Sequence, residues 1–215
     1  MAPVTRIIGG SAGGRHLATP RGEATRPTSD RVREALFSAL ESWFGTWEGV
    51  RVLDLYAGSG ALGLEACSRG AEHALLVEKD RRTAQLVAAN ARELGLARAR
   101  VVGGTVRSTL AGRPETAYDL VLSDPPYPLE DHEVEADLAA LVAHGWLADE
   151  AMVVVERSRR SPEPRWPAGF GSTRRRKYGE TTLWSAVWQP SGTDQQDRPE
   201  TPAPDGTQQA RDEQE

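Results

Sequence analysis

Two short stretches of the chain carry residue types that could do chemistry together. The first is Asp54-Leu55-Tyr56-Ala57-Gly58-Ser59-Gly60-Ala61-Leu62-Gly63, at a predicted strand-to-helix turn. Gly58, Gly60 and Gly63 fit the pattern G-x-G-x-x-G, and Glu78 ends the next predicted strand 20 residues after Gly58. Glycines at such a turn let backbone approach a nucleotide closely, and a carboxylate after the second strand suits two ribose hydroxyls. NAD, FAD and S-adenosylmethionine (SAM) all carry an adenosine that this turn would place. Asp54 shifts the balance, because a carboxylate just before the glycines disfavours a pyrophosphate but suits the ammonium and sulfonium of SAM. The plainer alternative is an Asp that caps the turn, with the glycines serving only tight packing.

The second stretch is Ser123-Asp124-Pro125-Pro126-Tyr127, directly after another predicted strand. In an open α/β sheet the strands' C-terminal ends form the ligand crevice, so this stretch is expected beside the glycine loop. The two prolines stiffen the backbone and remove two N–H donors. With the Asp124 carboxylate they leave a corner made of acceptors, which matches the two N–H donors of a nucleobase exocyclic amine. Tyr127 adds a flat face for stacking the base. Hydrogen bonds from the amine to Asp124 and the Pro125 carbonyl would bias its nitrogen toward a tetrahedral geometry and free the lone pair for methylation. Such catalysis works mainly by positioning and electrostatics. The plainer alternative here is a rigid proline loop that ends a strand.

The elements that must hold these stretches are legible as alternating apolar runs and amphipathic stretches from Val50 to Glu156. Val50–Leu55, His73–Glu78, Arg100–Val102, Tyr118–Ser123 and Ala151–Val155 read as strands. Gly60–Arg69, Arg81–Leu94 and a stretch marked by Val134, Leu138, Leu141 and Val142 read as helices between them. This alternation argues for a parallel sheet with helices on both faces. Ser172–Tyr178 and Thr182–Trp188 flank Gly179 and suggest an antiparallel pair that closes the sheet. Residues 1–49 differ: Thr5–Ile8 and Arg15–Ala18 suit a hairpin across four glycines. Pro27-Thr28-Ser29-Asp30 then starts a helix whose buried stripe is expected at Val32, Leu36, Ala39, Leu40 and Trp43.

Composition removes several classes. The chain has 215 residues, 39% hydrophobic, enough for one ordinary domain. Residues 191–215 hold two hydrophobic residues and no aromatics, so this tail reads as disordered. Its seven acids against two arginines account for the whole net charge of −5, leaving the body balanced. One cysteine excludes a disulfide framework, and Cys67 reads as packing. The four histidines show no metal-ligand spacing, so no metal is expected. No signal-like or membrane-spanning run is visible, which points to a soluble protein of a reducing compartment, most simply the cytoplasm. The expected division is 1–49 as a basic, RNA-contacting extension, 50–190 as the main domain, and 191–215 as the tail.

The body resembles the RsmD-type methyltransferases, which methylate the exocyclic N2 of a guanine in bacterial small-subunit (16S) ribosomal RNA. Beyond the two stretches above, the resemblance rests on Arg6-Ile7-Ile8-Gly9-Gly10, Gly14-Arg15, the string from Thr25 to Phe37, and Lys177-Tyr178-Gly179. It covers about Thr5 to Trp188. It implies a class I SAM-dependent, Rossmann-like methyltransferase fold: a seven-stranded, mostly parallel sheet with its last strand antiparallel, plus a small N-terminal hairpin–helix extension. It also implies a SAM site at Asp54, Tyr56, Gly58, Ser59, Gly60, Glu78 and Asp124, with Asp124, Pro125, Pro126 and Tyr127 at the target base. Relatives often carry Asp or Asn after the third strand for the adenine amine; here Gly103-Gly104-Thr105 stands there, and Thr105 is the candidate acceptor.

RNA binding needs phosphate contacts, and arginine-rich stretches supply them. The candidates are Arg6, Arg15, Arg26, Arg31 and Arg33 near the N-terminus, and Arg174, Arg175, Arg176 and Lys177 near the end. On a strand the last four would alternate sides, so at most two face RNA together. The expected partner is small-subunit rRNA within an assembling or assembled 30S subunit, with no membrane and no obligate protein partner. Three rival readings exist. An adenine-N6 DNA methyltransferase would use the same tetrapeptide but lacks room for a DNA-target domain. A dinucleotide-dependent oxidoreductase would leave Asp124–Tyr127 unused. A non-catalytic RNA-binding protein on the same fold would not need Asp54, Glu78 and Asp124.

Overall fold

The computed structural model describes residues 5–20, 30–126 and 129–190. The capping string Pro27-Thr28-Ser29, Arg26, Tyr127 and the expected tail lie outside the described residues.

The apolar runs form the strands. Arg51–Leu55 (β1), His73–Glu78 (β2), Ala99–Gly103 (β3), Tyr118–Ser123 (β4), Leu147–Ser158 (β5), Phe170–Tyr178 (β6) and Thr181–Trp188 (β7) make one 7-stranded sheet. Its order is β3-β2-β1-β4-β5-β7-β6. The first five strands are mutually parallel, while β7 runs antiparallel to both β5 and β6. This is the topology the family resemblance implies. Central strands covered on both faces must be apolar throughout, and Val52, Leu53, Leu120, Val121 and Leu122 are fully buried.

Helices Asp30–Phe44 (α1), Ala61–Arg69 (α2) and Arg81–Glu93 (α3) cover one face. Val106–Leu110 (α4) and Asp131–Ala143 (α5) cover the other. α3 starts where the Asp80 side chain accepts from the Thr83 N–H, satisfying one of the open donors of a helix end. α4, which the sequence reading did not foresee, has five residues and is capped in the same way by Thr105. No helix among the described residues is long and apolar enough to cross a membrane.

The expected N-terminal hairpin forms, with an antiparallel bridge at Arg6–His16 and a short 3-10 turn at Gly10–Ala12. Its arms are joined by Ile7 N–H to the Arg15 carbonyl, Gly14 N–H to the Ile7 carbonyl and Leu17 N–H to the Thr5 carbonyl. Three further donors go to α2. Glu65 accepts from Ile8 N–H (2.6 Å) and Gly9 N–H (2.8 Å), and Ser68 Oγ accepts from Ala12 N–H (2.9 Å). Gly10 sits at φ +75°, and a Cβ there would lie 1.9 Å from the Ser68 carbonyl oxygen, so only glycine fits. Ile7, Ala12 and Leu17 share their apolar cluster with Val52, Leu76 and Leu122 of the sheet.

One correction concerns α1. Val32, Leu36 and Leu40 are buried as expected, but Phe37 joins them and Trp43 does not: it is 41% exposed. In the last turn Phe44 takes the packed position, its ring 5.9 Å from that of Trp47, and Trp43 is left beside β6.

Candidate active site

The parallel register sets the site. Leu55 pairs with Val77 and with Ser123, so Glu78, Tyr56 and Asp124 stand level at the ends of adjacent strands β2, β1 and β4. Adjacent strands are about 4.8 Å apart, so Glu78 and Asp124 flank a gap of roughly 10 Å. Asp54, Glu78, Asp124 and Pro125 all line one cavity of about 2430 Å³ there.

The glycine loop is fastened before any ligand arrives. Ala57 N–H donates to the Val77 carbonyl at 2.9 Å, and Gly58 N–H donates to Glu78 Oε2 at 3.0 Å. Asp80 N–H takes Glu78 Oε1 at 2.8 Å. Each Glu78 oxygen thus keeps acceptor capacity for a hydroxyl while its orientation is fixed by backbone. The three glycines divide their work. A Cβ at Gly58 would meet only the Tyr56 carbonyl at 3.9 Å, so this position faces open space and lines the cavity. Gly60, at φ +83°, and Gly63 serve close packing, since a Cβ would come within 2.7 Å of Val87 and of Leu76 respectively. Ser59 lines the cavity; Gly60 lies behind it.

Asp54 caps the turn, and its second oxygen leaves the cofactor reading open. Its Oδ2 accepts from Gly63 N–H at 2.8 Å and so caps α2. Its Oδ1 is buried without a partner although the residue borders the cavity. Burial pushes the carboxyl up to about 7, against the Gly63 hydrogen bond and with a smaller push from Glu78. A cation at Oδ1 would satisfy the orphaned acceptor and favour the ionised form. The carboxylate pair, the open Gly58 and the orphan oxygen therefore fit the amino-acid and ribose ends of SAM.

Thr105 is exposed and lines the cavity, but its Oγ1 already accepts from Ser108 N–H at 3.1 Å. An adenine amine would share that oxygen with the cap through its remaining lone pair, so Thr105 stays a candidate acceptor. Asp124 is half-buried, Pro125 buried and Pro126 exposed. The Pro126 carbonyl accepts from Leu129 N–H at 2.8 Å, which closes the loop and leaves Asp124 and Pro125 as the acceptor corner.

Two residues that the sequence reading did not single out, Asp137 and Arg157, help to hold this arrangement. Tyr56, at φ 61°, donates its hydroxyl to Asp137 of α5. Burial and the Asp137 hydrogen bond raise the phenol above its ordinary range, so Tyr56 keeps its proton and donates it to Asp137, whose carboxyl burial also raises. Arg157 of β5 donates to the Leu129 carbonyl at 3.0 Å and to Asp131 at 2.6 Å, tying the proline loop to the start of α5. Asp137 carried no sequence signal, because an acid on an amphipathic helix normally faces solvent. Arg157 was hidden at the head of a basic stretch.

The arginine candidates separate sharply. Arg31 is exposed and lines the cavity, as does Lys177 with its neighbour Tyr178. Arg33 is 1% exposed and works inside the protein, donating from Nη2 to the Arg6 carbonyl and to Asp30 Oδ1, both at 2.7 Å. Arg6 pairs with the other Asp30 oxygen at 2.9 Å. Burial raises the Asp30 carboxyl, but the hydrogen bonds from Arg33 and Arg6 outweigh it and hold the group below its usual range. Arg15 is exposed and donates to the Glu93 carbonyl at 2.9 Å. Arg174, Arg175, Arg176 and Lys177 are all exposed and alternate as expected. Arg175 lies over the Trp184 ring, 5.4 Å from its centroid, while Arg174 and Arg176 face α1. Cys67 is buried in the core, and burial pushes its thiol up to about 12, which makes it inert.

With the geometry in place, comparison with known proteins is informative. The family described as "Conserved hypothetical protein 95" matches residues 5–187. "Ribosomal RNA small subunit methyltransferase D" of Escherichia coli strain K12 is 41% identical over 175 residues, 81% of this chain and 85% of that protein. The solved structure of the Escherichia coli protein yhhF is 36% identical with a TM-score of 0.77, covering 87% of this chain and 99% of that one. TrmN from Thermus thermophilus, at 21% identity and a TM-score of 0.56, shares the fold.

Proposed function

The chain belongs to the RsmD family, with the class I SAM-dependent methyltransferase fold and SAM as its cofactor, and from that premise we propose that it methylates the exocyclic N2 of a guanine in small-subunit rRNA. One observation carries the reading: the orphaned Asp54 oxygen and the Asp124–Pro125 acceptor corner open into the same cavity from adjacent strands.

When bound, SAM supplies an electrophilic methyl group on a sulfonium. The chain's own residues do the rest. Asp54 Oδ1 holds the cofactor's ammonium, Glu78 takes the ribose hydroxyls, and Gly58 and Ser59 supply backbone close to them. Asp124 and the Pro125 carbonyl accept the two N–H donors of the guanine amine, draw the nitrogen out of conjugation and aim its lone pair. After transfer, Asp124 or a water takes the surplus proton. Tyr127 stacks on the base. Such a base must be extruded or already unpaired to reach this depth. Arg31 and Lys177, both lining the cavity, contact flanking phosphates, whereas Arg33 acts as an internal tie. An assembling or assembled 30S subunit is the setting in which that rRNA is presented.

The test is labelled SAM with small subunits from a strain lacking the enzyme, followed by nucleoside mass spectrometry. N2-methylguanosine is expected with the wild type, and its loss with Asp124→Ala while SAM affinity holds within about threefold. Full activity in Asp124→Ala, or a different modified nucleoside, would refute the assignment.

A further inference from the structure

We propose that the groove between α1 and β6 is a second nucleic-acid contact, which holds the single-stranded RNA flanking the target base by stacking on Trp43 and pairing phosphates with Arg174 and Arg176. The proposal rests on the rRNA reading above.

The groove, about 400 Å³, is walled by Arg174 and Arg176 on one side and by Ser38, Ala39, Ser42 and Trp43 on the other. Its chemistry is unusual for an idle surface. Trp43 is the one large hydrophobic residue that is exposed among the described residues. Neither arginine has an ion-pair partner among the described residues, and no carboxylate lines the groove. An indole face beside two unneutralised guanidiniums and small, hydroxyl-bearing neighbours provides stacking and phosphate contacts together, the pair that single-stranded nucleic acid uses.

Continuity points to the same strand that enters the active site. Ala35 borders both the groove and the catalytic cavity. From Ala35 to Trp43 α1 rises about 12 Å, and from Tyr178 back to Arg174 β6 spans about 13 Å, so the two walls run out together. The alternation along β6 makes this a division of labour. Lys177 serves the cavity, while Arg174 and Arg176 point to the α1 side.

The experiment measures binding of a protein-free small-subunit rRNA fragment spanning the modified guanine, and of intact unmethylated subunits, across a salt series. Arg174→Ala/Arg176→Ala is expected to weaken both about tenfold near 0.15 M salt and to flatten the slope of log K against log salt by roughly 1.4, since two phosphate contacts are lost. Trp43→Ala is expected to weaken binding about tenfold with the slope unchanged, and Trp43→Phe to recover most of it. SAM binding at wild-type affinity checks that each variant is folded. Unchanged affinity and slope in both variants, with the wild type still methylating rRNA, would overturn the groove and leave the function standing. Loss for intact subunits alone would mean that a protein occupies the groove, and would overturn it too. A wild type that neither binds nor methylates either RNA would bring down both readings.

Discussion

Glu65 and Asp54 are both buried carboxylates bound to α2, 0% and 1% exposed, yet they are finished to different degrees. Glu65 has every reason to be where it is already supplied: Ile8 and Gly9 N–H groups and Arg69 Nε, all within 2.8 Å. Asp54 has one donor, Gly63 N–H, and one bare oxygen beside a cavity. Buried acceptors are nearly always satisfied, so a satisfied one marks structure and an unsatisfied one at a cavity wall marks a ligand yet to come. The same helix therefore has one side that docks the N-terminal segment and an N-terminal end with a spare acceptor, where the proposed function puts the cofactor's cation.

That contrast can be broken most forcefully at Asp54. Asp54→Asn keeps the Gly63 cap but removes the charge, and SAM affinity should fall about a thousandfold, near 4 kcal/mol, while thermal stability at pH 8 holds or rises. Isothermal titration paired with melting would show it; a parallel loss of stability would mean that Asp54 is structural after all. Glu65→Gln should do the reverse. Replacing an acceptor-only group with an amide leaves at least one buried donor facing another, costing about 3 kcal/mol of stability by denaturant titration. SAM affinity in the folded fraction should hold, and a selective loss there would erase the distinction between the two carboxylates.

The smallest effect is a pH dependence. With its carboxyl near 7, Asp54 must lose a proton to receive a cation. SAM affinity should therefore rise about twentyfold from pH 5.5 to 7.5 and level off above, a dependence absent in Asp54→Asn. Stability of the cofactor-free protein should move the other way. The folded carboxyl keeps its proton up to about 7 and the unfolded one only to about 3.8, so stability declines as pH climbs between those values.

How much of this was readable beforehand depended on the range of the interactions. β4 fell where its apolar run placed it, and β6 and β7 within two residues, because alternation and Gly179 are local signals. The fifth strand proved much longer than Ala151–Val155, since Leu147–Ser158 includes polar residues held by pairing with β7. The N-terminal hairpin was legible from its glycines, but its docking was not, because Glu65 and Ser68, more than 50 residues away, capture donors that lie outside the pairing. In the site, Asp54, Glu78 and Asp124 were legible from motif spacing. Asp137 and Arg157 were not, because their value lies in contacts to Tyr56 and Leu129 that only the folded chain creates. Arg33 shows the converse: a basic residue in a basic string looked solvent-facing, yet it is 1% exposed and its Nη2 is taken by Asp30 and the Arg6 carbonyl.

The clamp on α2 has a practical consequence for anyone seeking a minimal catalytic fragment. A nine-residue helix is too short to persist unaided, so its placement depends on whatever grips it. Trimming the chain back to β1 would strip two amides from Glu65 and one from Ser68, leaving the Glu65 carboxylate with Arg69 Nε as its remaining donor among those described. The leading segment is foundation rather than decoration, and engineering that treats it as a detachable tag would undermine the catalytic loop from below.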